Sequence, residues 1–129
     1  MPDGGQRRIL LVDDEDDIRE VAQLSLETIA EWEVLTAGSG REGLRVAEAE
    51  LPDAILLDVM MPDMDGTTTF QRLQSNPSIS NIPVVLLTAK IQASDRRKFS
   101  GLGVRGLLAK PFDPMTLAGE LAQILGWQI

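Results

Sequence analysis

The sequence predicts an α/β protein: a single doubly wound, five-stranded parallel sheet with helices on both of its faces. Short apolar runs alternate with longer segments in which apolar residues recur at helical spacing. Four of the five runs are almost wholly apolar, as is typical of strands covered on both faces. A length of 129 residues fits one domain, and no linker, repeat or low-complexity tract divides it.

The predicted strands are runs of four or five residues rich in aliphatic side chains. They cover 9–12, 32–36, 54–57, 84–87 and 106–109. Segments this short and apolar favour strands over helices. Because a longer segment separates each strand from the next, we expect parallel neighbours joined by right-handed crossovers.

Helices are predicted between the strands. The positions that define the first three are Ile18, Val21, Ala22, Ser25, Leu26 and Ile29; Leu44, Ala47 and Leu51; and Phe70 and Leu73 after Gly66. A fourth helix, from Ala93 to Ser100, is polar and weakly marked.

The last helix has the clearest predicted boundaries. Asp113 is expected as its N-cap and Pro114 as its first helical residue, since both types favour those positions. Leu117, Leu121 and Ile124 repeat at helical spacing, and Gly126 follows as the terminating residue.

Composition excludes several functions. The chain has no cysteine and no histidine, so it lacks the ligands and nucleophiles of zinc fingers, thiol redox centres and histidine-dependent triads. Its 12 basic and 20 acidic residues give a net charge of −8, which disfavours binding to nucleic acid and to anionic membranes. No segment has the pattern of a signal peptide or a membrane span. We therefore expect a cytoplasmic protein with a flexible tail at 1–7 and one domain at 8–129.

Polar residues follow four of the predicted strands. The first strand ends in Asp13 and Asp14, the third in Asp58, the fourth in Thr88 and the fifth in Lys110. The carboxyl ends of parallel strands share one edge of a sheet, where ligands of such folds bind. Carboxylates gathered there repel one another unless a cation intervenes, and Mg²⁺ prefers such oxygen ligands.

This set of residues suits phosphoryl transfer. Asp58 stands alone at a strand end and is the best candidate nucleophile, whereas Asp13 and Asp14 form a pair suited to holding the ion. A metal ion and Lys110 would neutralise the oxygens of the transferring group, and the Thr88 hydroxyl would bond one of them.

In this pattern the sequence resembles the receiver domain of bacterial two-component response regulators, the chemotaxis-regulator-like superfamily. The motifs that carry the resemblance are Leu-Val-Asp-Asp-Glu at 11–15, Leu-Asp-Val-Met-Met-Pro-Asp-Met-Asp-Gly at 57–66, Pro-Val-Val-Leu-Leu-Thr-Ala at 83–89 and Lys-Pro-Phe at 110–112. The four occur in order over nearly the whole chain, which makes the resemblance specific.

The resemblance implies a flavodoxin-like strand order of 2-1-3-4-5 and a Mg²⁺-dependent phosphorelay. Asp58 would accept a phosphoryl group from the phosphohistidine of a sensor histidine kinase or a histidine phosphotransfer protein. Thr88 would contact that group, and Lys110, in a cis peptide bond with Pro111, would bridge to it.

The resemblance further implies a Mg²⁺ site formed by Asp14, Asp58 and the backbone carbonyl of Met60, with Asp13 acting through water. The product would be a changed surface for a downstream protein target, so the domain would be regulatory and not an enzyme. The sequence also predicts that no output domain is attached.

Two departures from the family pattern concern signalling. Leu107 occupies the position of an aromatic switch residue, so we expect activation without one. Met60 and Lys90 lie two residues beyond Asp58 and Thr88, at positions linked to phosphate lifetime. Met60 cannot orient water by hydrogen bonding, which favours slow self-dephosphorylation.

Two other functions fit parts of the pattern. A haloacid-dehalogenase-like phosphatase also uses a strand-end aspartate and Mg²⁺, but its second aspartate is replaced here by Met60. A pseudo-receiver that only binds partners is disfavoured by the complete acidic set.

Overall fold

The computed structural model describes residues 6–89, 97, 99 and 101–128. Its five strands form one parallel sheet in the order β2-β1-β3-β4-β5. The strands are β1 (Arg8–Val12), β2 (Glu33–Ala37), β3 (Ala54–Asp58), β4 (Val84–Thr88) and β5 (Gly106–Ala109). The predicted sheet is confirmed, with every strand boundary within one residue of its expected position.

Four α-helices have both of their ends within the described residues, and the described residues 97 and 99 are also helical. The four are α1 (Asp16–Ser25), α2 (Gly40–Glu50), α3 (Gly66–Gln74) and α4 (Leu117–Leu125). The first predicted helix changes after Ser25 into a π-helical turn, Leu26–Ala30, which ends at Glu31 in the left-handed conformation with φ of 60°. The fourth predicted helix, Ala93 to Ser100, lies almost entirely outside the described residues, as does Lys90.

The predicted start of the last helix is wrong by three residues. Asp113 does not cap α4, which begins at Leu117 after Thr116. Instead its carboxylate accepts the Met115 N–H at 2.8 Å, and its carbonyl accepts the Thr116 N–H at 3.0 Å. These bonds close a turn that leads directly into the helix, because the Asp113 carbonyl also accepts the Leu117 N–H at 3.0 Å. Gly126 ends α4 with φ of 74°, as predicted.

The core consists of two layers, one on each face of the sheet. Side chains alternate along β1, so Ile9 and Leu11 enter one layer while Leu10 and Val12 enter the other. One layer is covered by α1, the π-helical turn and α4, and the other by α2 and α3. This arrangement confirms the doubly wound prediction and leaves the strand ends as the open edge.

The segment directly before β1 contacts Trp127, shortly after the end of α4. Arg7 lies over the Trp127 ring, with its guanidinium carbon 4.9 Å from the ring centroid, and accepts the Glu33 N–H through its carbonyl at 2.8 Å. Trp127 meets Trp32 edge to face at 5.0 Å. Among the described residues, no helix is both long and apolar enough to span a membrane.

Candidate functional site

Asp13 is fixed in place at the end of β1. Its side chain is fully buried, and its backbone N–H bonds to the carbonyl of Ala37 on β2 at 3.1 Å. One carboxylate oxygen accepts the Glu15 N–H at 2.8 Å. The other accepts a bond from Lys110 at 3.0 Å. The adjacent Asp14 is half-buried at the same edge.

Asp58 is the last residue of β3 and is 1% exposed. Its Oδ1 accepts the Met60 N–H at 3.1 Å, while its Oδ2 lies 3.2 Å from the Lys110 ammonium. The carboxylate is therefore oriented from both sides, with one oxygen bonded to backbone and one to a cation.

The loop after Asp58 folds back tightly onto the strand. The Gly66 N–H bonds to the carbonyl of Val59 at 2.8 Å. A Cβ atom at position 66 would lie 2.6 Å from the Val59 Cα and 2.7 Å from the Asp58 carbonyl oxygen, so only glycine fits. Asp65 then caps α3 by accepting the Thr68 N–H at 2.8 Å. This geometry explains why Asp65 and Gly66 are adjacent in the sequence.

Lys110 is the cation that pairs with the buried carboxylates among the described residues. Its Nζ lies 2.7 Å from Glu15 Oε1, 3.0 Å from Asp13 Oδ2 and 3.2 Å from Asp58 Oδ2. The peptide bond to Pro111 is cis, as expected. One ammonium group thus neutralises carboxylates from two different strands.

The site shifts the pKa of its ionisable groups. Burial raises the pKa of Asp58 from 3.8 to about 6; the Met60 N–H opposes this, the charge of Asp13 adds to it, and Lys110 opposes it. Burial acts to lower the pKa of Lys110, but the bonds to Glu15 and Asp13 and the charge of Asp58 outweigh it and raise that pKa well above its ordinary value. At neutral pH Asp58 is mostly a carboxylate and Lys110 an ammonium.

The three aspartates can also hold a metal ion. Asp13, Asp14 and Asp58 each present a carboxylate oxygen, and these oxygens lie within 4.8 Å of one another. Hard oxygen donors grouped in this way match Mg²⁺ in ligand chemistry. The structure thus brings together the acidic residues that the sequence analysis selected.

The other residues singled out in the sequence, Thr88, Leu107 and Met60, differ in how deeply they are buried. Thr88 ends β4, is 8% exposed and pairs in register with Ala109. Leu107 lies opposite Leu86 and packs partly buried in the layer covered by α2 and α3. The Met60 side chain is 72% exposed at the mouth of the site.

Glu15 is a site residue that the sequence analysis did not select. It belongs to the 11–15 motif, yet nothing in its spacing showed that it would make the shortest contact to Lys110. The signal was the acidic residue directly after the Asp13-Asp14 pair. A second addition is Arg19, whose guanidinium donates to the Asp13 carbonyl at 2.6 Å and ties α1 to the end of β1.

A parallel sheet of this order with an acidic cluster and a lysine at its carboxyl edge defines a signal-receiving domain. The chain belongs to the response regulator receiver domain family, whose family model matches residues 9–122. It is 37% identical over 119 residues to the alkaline phosphatase synthesis transcriptional regulatory protein PhoP of Bacillus subtilis, covering 92% of this chain and 48% of that protein. It is 40% identical over 123 residues to the response regulator PleD of Caulobacter vibrioides, covering 95% of this chain and 27% of that protein.

Solved structures agree with this assignment. The chemotaxis protein CheY4 of Vibrio cholerae superposes with a TM-score of 0.86 at 32% identity, covering 93% of this chain and 99% of that one. The chain spans about half the length of most of the curated relatives that it matches. The function is that of a receiver domain of two-component response regulators, and the phosphatase alternative is not supported.

Proposed function

We propose that Asp58 accepts a phosphoryl group from the phosphohistidine of a histidine kinase or histidine phosphotransfer protein in the cytoplasm. The observation that carries this proposal is the orientation of the Asp58 carboxylate between the Met60 N–H and the Lys110 ammonium. Its carboxylate is buried, and a cation and two further acids lie beside it. The surrounding groups match what phosphoryl transfer requires.

The transfer step balances without a further reactant. A carboxylate oxygen of Asp58 attacks the phosphorus atom while the phosphorus–nitrogen bond of the donor breaks. The electron pair of that bond stays on the imidazole nitrogen, which takes up a proton from solvent. Because Asp58 must be ionised to attack, a pKa of about 6 leaves it competent at neutral pH.

Asp14 and Asp58 would hold Mg²⁺ directly, together with the backbone carbonyl of Met60, and Asp13 would act through water. Bound there, the ion would supply positive charge to the phosphoryl oxygens. Lys110 would shift its bonds from Asp58 to the phosphoryl group, while Asp13 and Glu15 keep its ammonium at the edge of the site. Thr88, at the end of β4, would donate its hydroxyl to another phosphoryl oxygen.

The protein donor needs a docking surface near Asp58. An apolar groove of about 370 Å³ lies between α1 with its π-helical turn and the turn after Pro111, and includes Val21, Leu24, Ile29 and Met115. These four are among the six large apolar side chains that the described residues expose. We assign this groove to the phosphodonor, because it borders the segments that carry Asp13 and Lys110.

The domain itself would be regulatory and would catalyse at most its own phosphorylation and dephosphorylation. Its output would be altered affinity for a downstream protein. The exposed Met60 side chain offers no hydrogen bond to an attacking water, which supports a long-lived phosphoryl group.

The decisive experiment is phosphorylation by acetyl phosphate with Mg²⁺, followed by intact-mass measurement. We expect one added phosphoryl group, absent in Asp58→Asn. Asp63→Asn, a change at an exposed aspartate of the same loop, should retain it. Full phosphorylation of Asp58→Asn would overturn the assignment of the acceptor.

A further inference from the structure

A basic groove lies between α2 and α3, on the sheet face that does not carry the apolar groove. Its volume is about 460 Å³, and its rim carries Arg41, Arg45 and Arg72. The chain as a whole has a net charge of −8. The groove is therefore positively charged, although the molecule as a whole is negatively charged.

Helical spacing places the lining residues on two facing stripes. Arg41, Leu44, Arg45 and Glu48 follow the i, i+3, i+4, i+7 pattern along α2. Arg72 lies on the last turn of α3, and Ser75, Asn76 and Ile79 continue from it through the following turns. The floor is apolar: the half-buried Leu44 supplies its exposed surface, and Ile79 lies beneath it in the core.

Contacts near its two ends fix the distance between the two walls of the groove. At one end Gly40 lets the helices approach, because a Cβ atom there would lie 2.5 Å from Thr69 Oγ1. At the other end the Asn76 amide donates to Glu48 Oε2 at 2.7 Å and bridges the two walls. The shape is thus formed before any ligand binds, which lowers the entropic cost of binding.

The three arginines are available for a ligand. Arg8, Arg19 and Lys110 each have carboxylate partners. In the described part of the chain, the side chains of Arg41, Arg45 and Arg72 form no ion pair. Arginine binds carboxylates through two parallel hydrogen bonds and suits a peptide carrying Asp or Glu.

We propose that this groove binds an acidic amphipathic segment of a partner protein, with apolar side chains on Leu44 and carboxylates on the arginines. The apolar floor favours a peptide over a free anion, because a free anion has no apolar group to bury against it. The Glu48 carboxylate and the net charge of −8 disfavour a nucleic acid. The site is separate from Asp58 and does not rest on the phosphoryl chemistry.

The test uses the whole chain, unphosphorylated, and a fluorescein-labelled helical peptide of Glu and Leu with leucines on one face. Fluorescence anisotropy should show binding that weakens about tenfold in Arg45→Glu and in Arg72→Glu. Arg105→Glu makes the same charge change at an exposed arginine outside the groove and should leave binding unchanged. Leu44→Ser should weaken binding without any change of charge.

Three outcomes would overturn the proposal. Equal weakening by Arg105→Glu would show only general charge attraction. Equal binding of a scrambled peptide of the same composition would remove the role of the apolar floor. Stronger binding of polyphosphate or single-stranded RNA than of the peptide would change the class of ligand. Circular dichroism of each variant ensures that a loss of binding is not a loss of folding.

Discussion

The Lys110 ammonium lies closer to the exposed Glu15 than to either buried aspartate, at 2.7 Å against 3.0 Å for Asp13 and 3.2 Å for Asp58. The carboxylate of Glu15 is about half exposed, so water screens its contact. The contacts to Asp13 and Asp58 are buried, and removing one partner of a buried ion pair strongly destabilises the fold. The shortest ion pair is therefore not the one with the largest effect on stability.

Lys110→Ala should destabilise the metal-free protein by about 3 kcal/mol, because it leaves buried Asp13 and Asp58 without a cation. Glu15→Gln should cost less than about 1 kcal/mol. Urea unfolding at neutral pH measures both changes. Mg²⁺ should recover part of the lost stability in Lys110→Ala, since it neutralises the same carboxylates. If the free energy of unfolding of this variant did not rise with Mg²⁺, this account would be contradicted.

Asp58→Asn should stabilise the metal-free protein at neutral pH. The pKa of Asp58 is about 6 in the folded protein against 3.8 ordinarily, so ionisation costs the folded state more than the unfolded state. The gain should be absent below pH 3.8, grow up to about pH 6 and then level off. We expect a gain of up to about 3 kcal/mol in denaturant unfolding.

Asp63→Asn is the control for that experiment, and we expect it to lower the stability at neutral pH where Asp58→Asn raises it. Burial acts to raise the pKa of Asp63, but N–H groups of Arg41, Gly40 and Met64 outweigh it and lower that pKa. Its charge therefore favours the folded state above the ordinary pKa and loses that effect as the pH falls. A stability gain in both variants at neutral pH would indicate a cause other than these pKa shifts.

The affinity for Mg²⁺ should depend on pH through Asp58. Below pH about 6 the ion must displace a proton, so affinity should fall about tenfold for each pH unit, whereas above pH 7 it should be nearly constant. Isothermal titration calorimetry measures the profile. Asp14→Ala should abolish binding, and Asp17→Ala, at an exposed position of α1, should not. Unchanged binding in Asp14→Ala would place the ion elsewhere.

Leu24→Asp should slow phosphotransfer from a phosphorylated histidine kinase at least about tenfold, because it introduces a charge into the apolar groove. Phosphorylation by acetyl phosphate should stay unchanged, since Asp58 is not affected. Leu51→Asp is the matched control at an exposed leucine away from the groove. Equal slowing with both donors would show damage to the site and not to docking.

Activation should be modest without an aromatic switch residue. Leu107 is half-buried two residues before Ala109, the register partner of Thr88, and it carries no hydroxyl for a partner. We expect beryllofluoride, a phosphoryl mimic, to raise target affinity by a coupling of about 1 kcal/mol. A gain above roughly 100-fold that disappears in Leu107→Ala would show that leucine acts as a full switch.

The sheet and the acidic edge could be predicted because each depends on local pattern plus topology. Asp13, Asp14 and Asp58 follow apolar runs, and parallel strands bring their ends together. The α4 start could not be predicted from Asp113 and Pro114, since a capped turn and a capped helix share the same first bonds. The contact of Lys110 with Glu15 depends on how β5 and the start of α1 pack, which no spacing along the chain encodes. The π-helical turn at 26–30 likewise follows from packing.

The edge-to-face pair of Trp32 and Trp127 comprises both tryptophans of the chain. Trp32 directly precedes β2, at the amino edge of the sheet, whereas Asp58 ends β3 at the carboxyl edge. The intrinsic fluorescence of this protein therefore monitors its folding and is a poor reporter of ion binding or phosphorylation. Optical studies of signalling need a fluorophore placed near the carboxyl edge, while the native emission supplies an independent unfolding signal in the same sample.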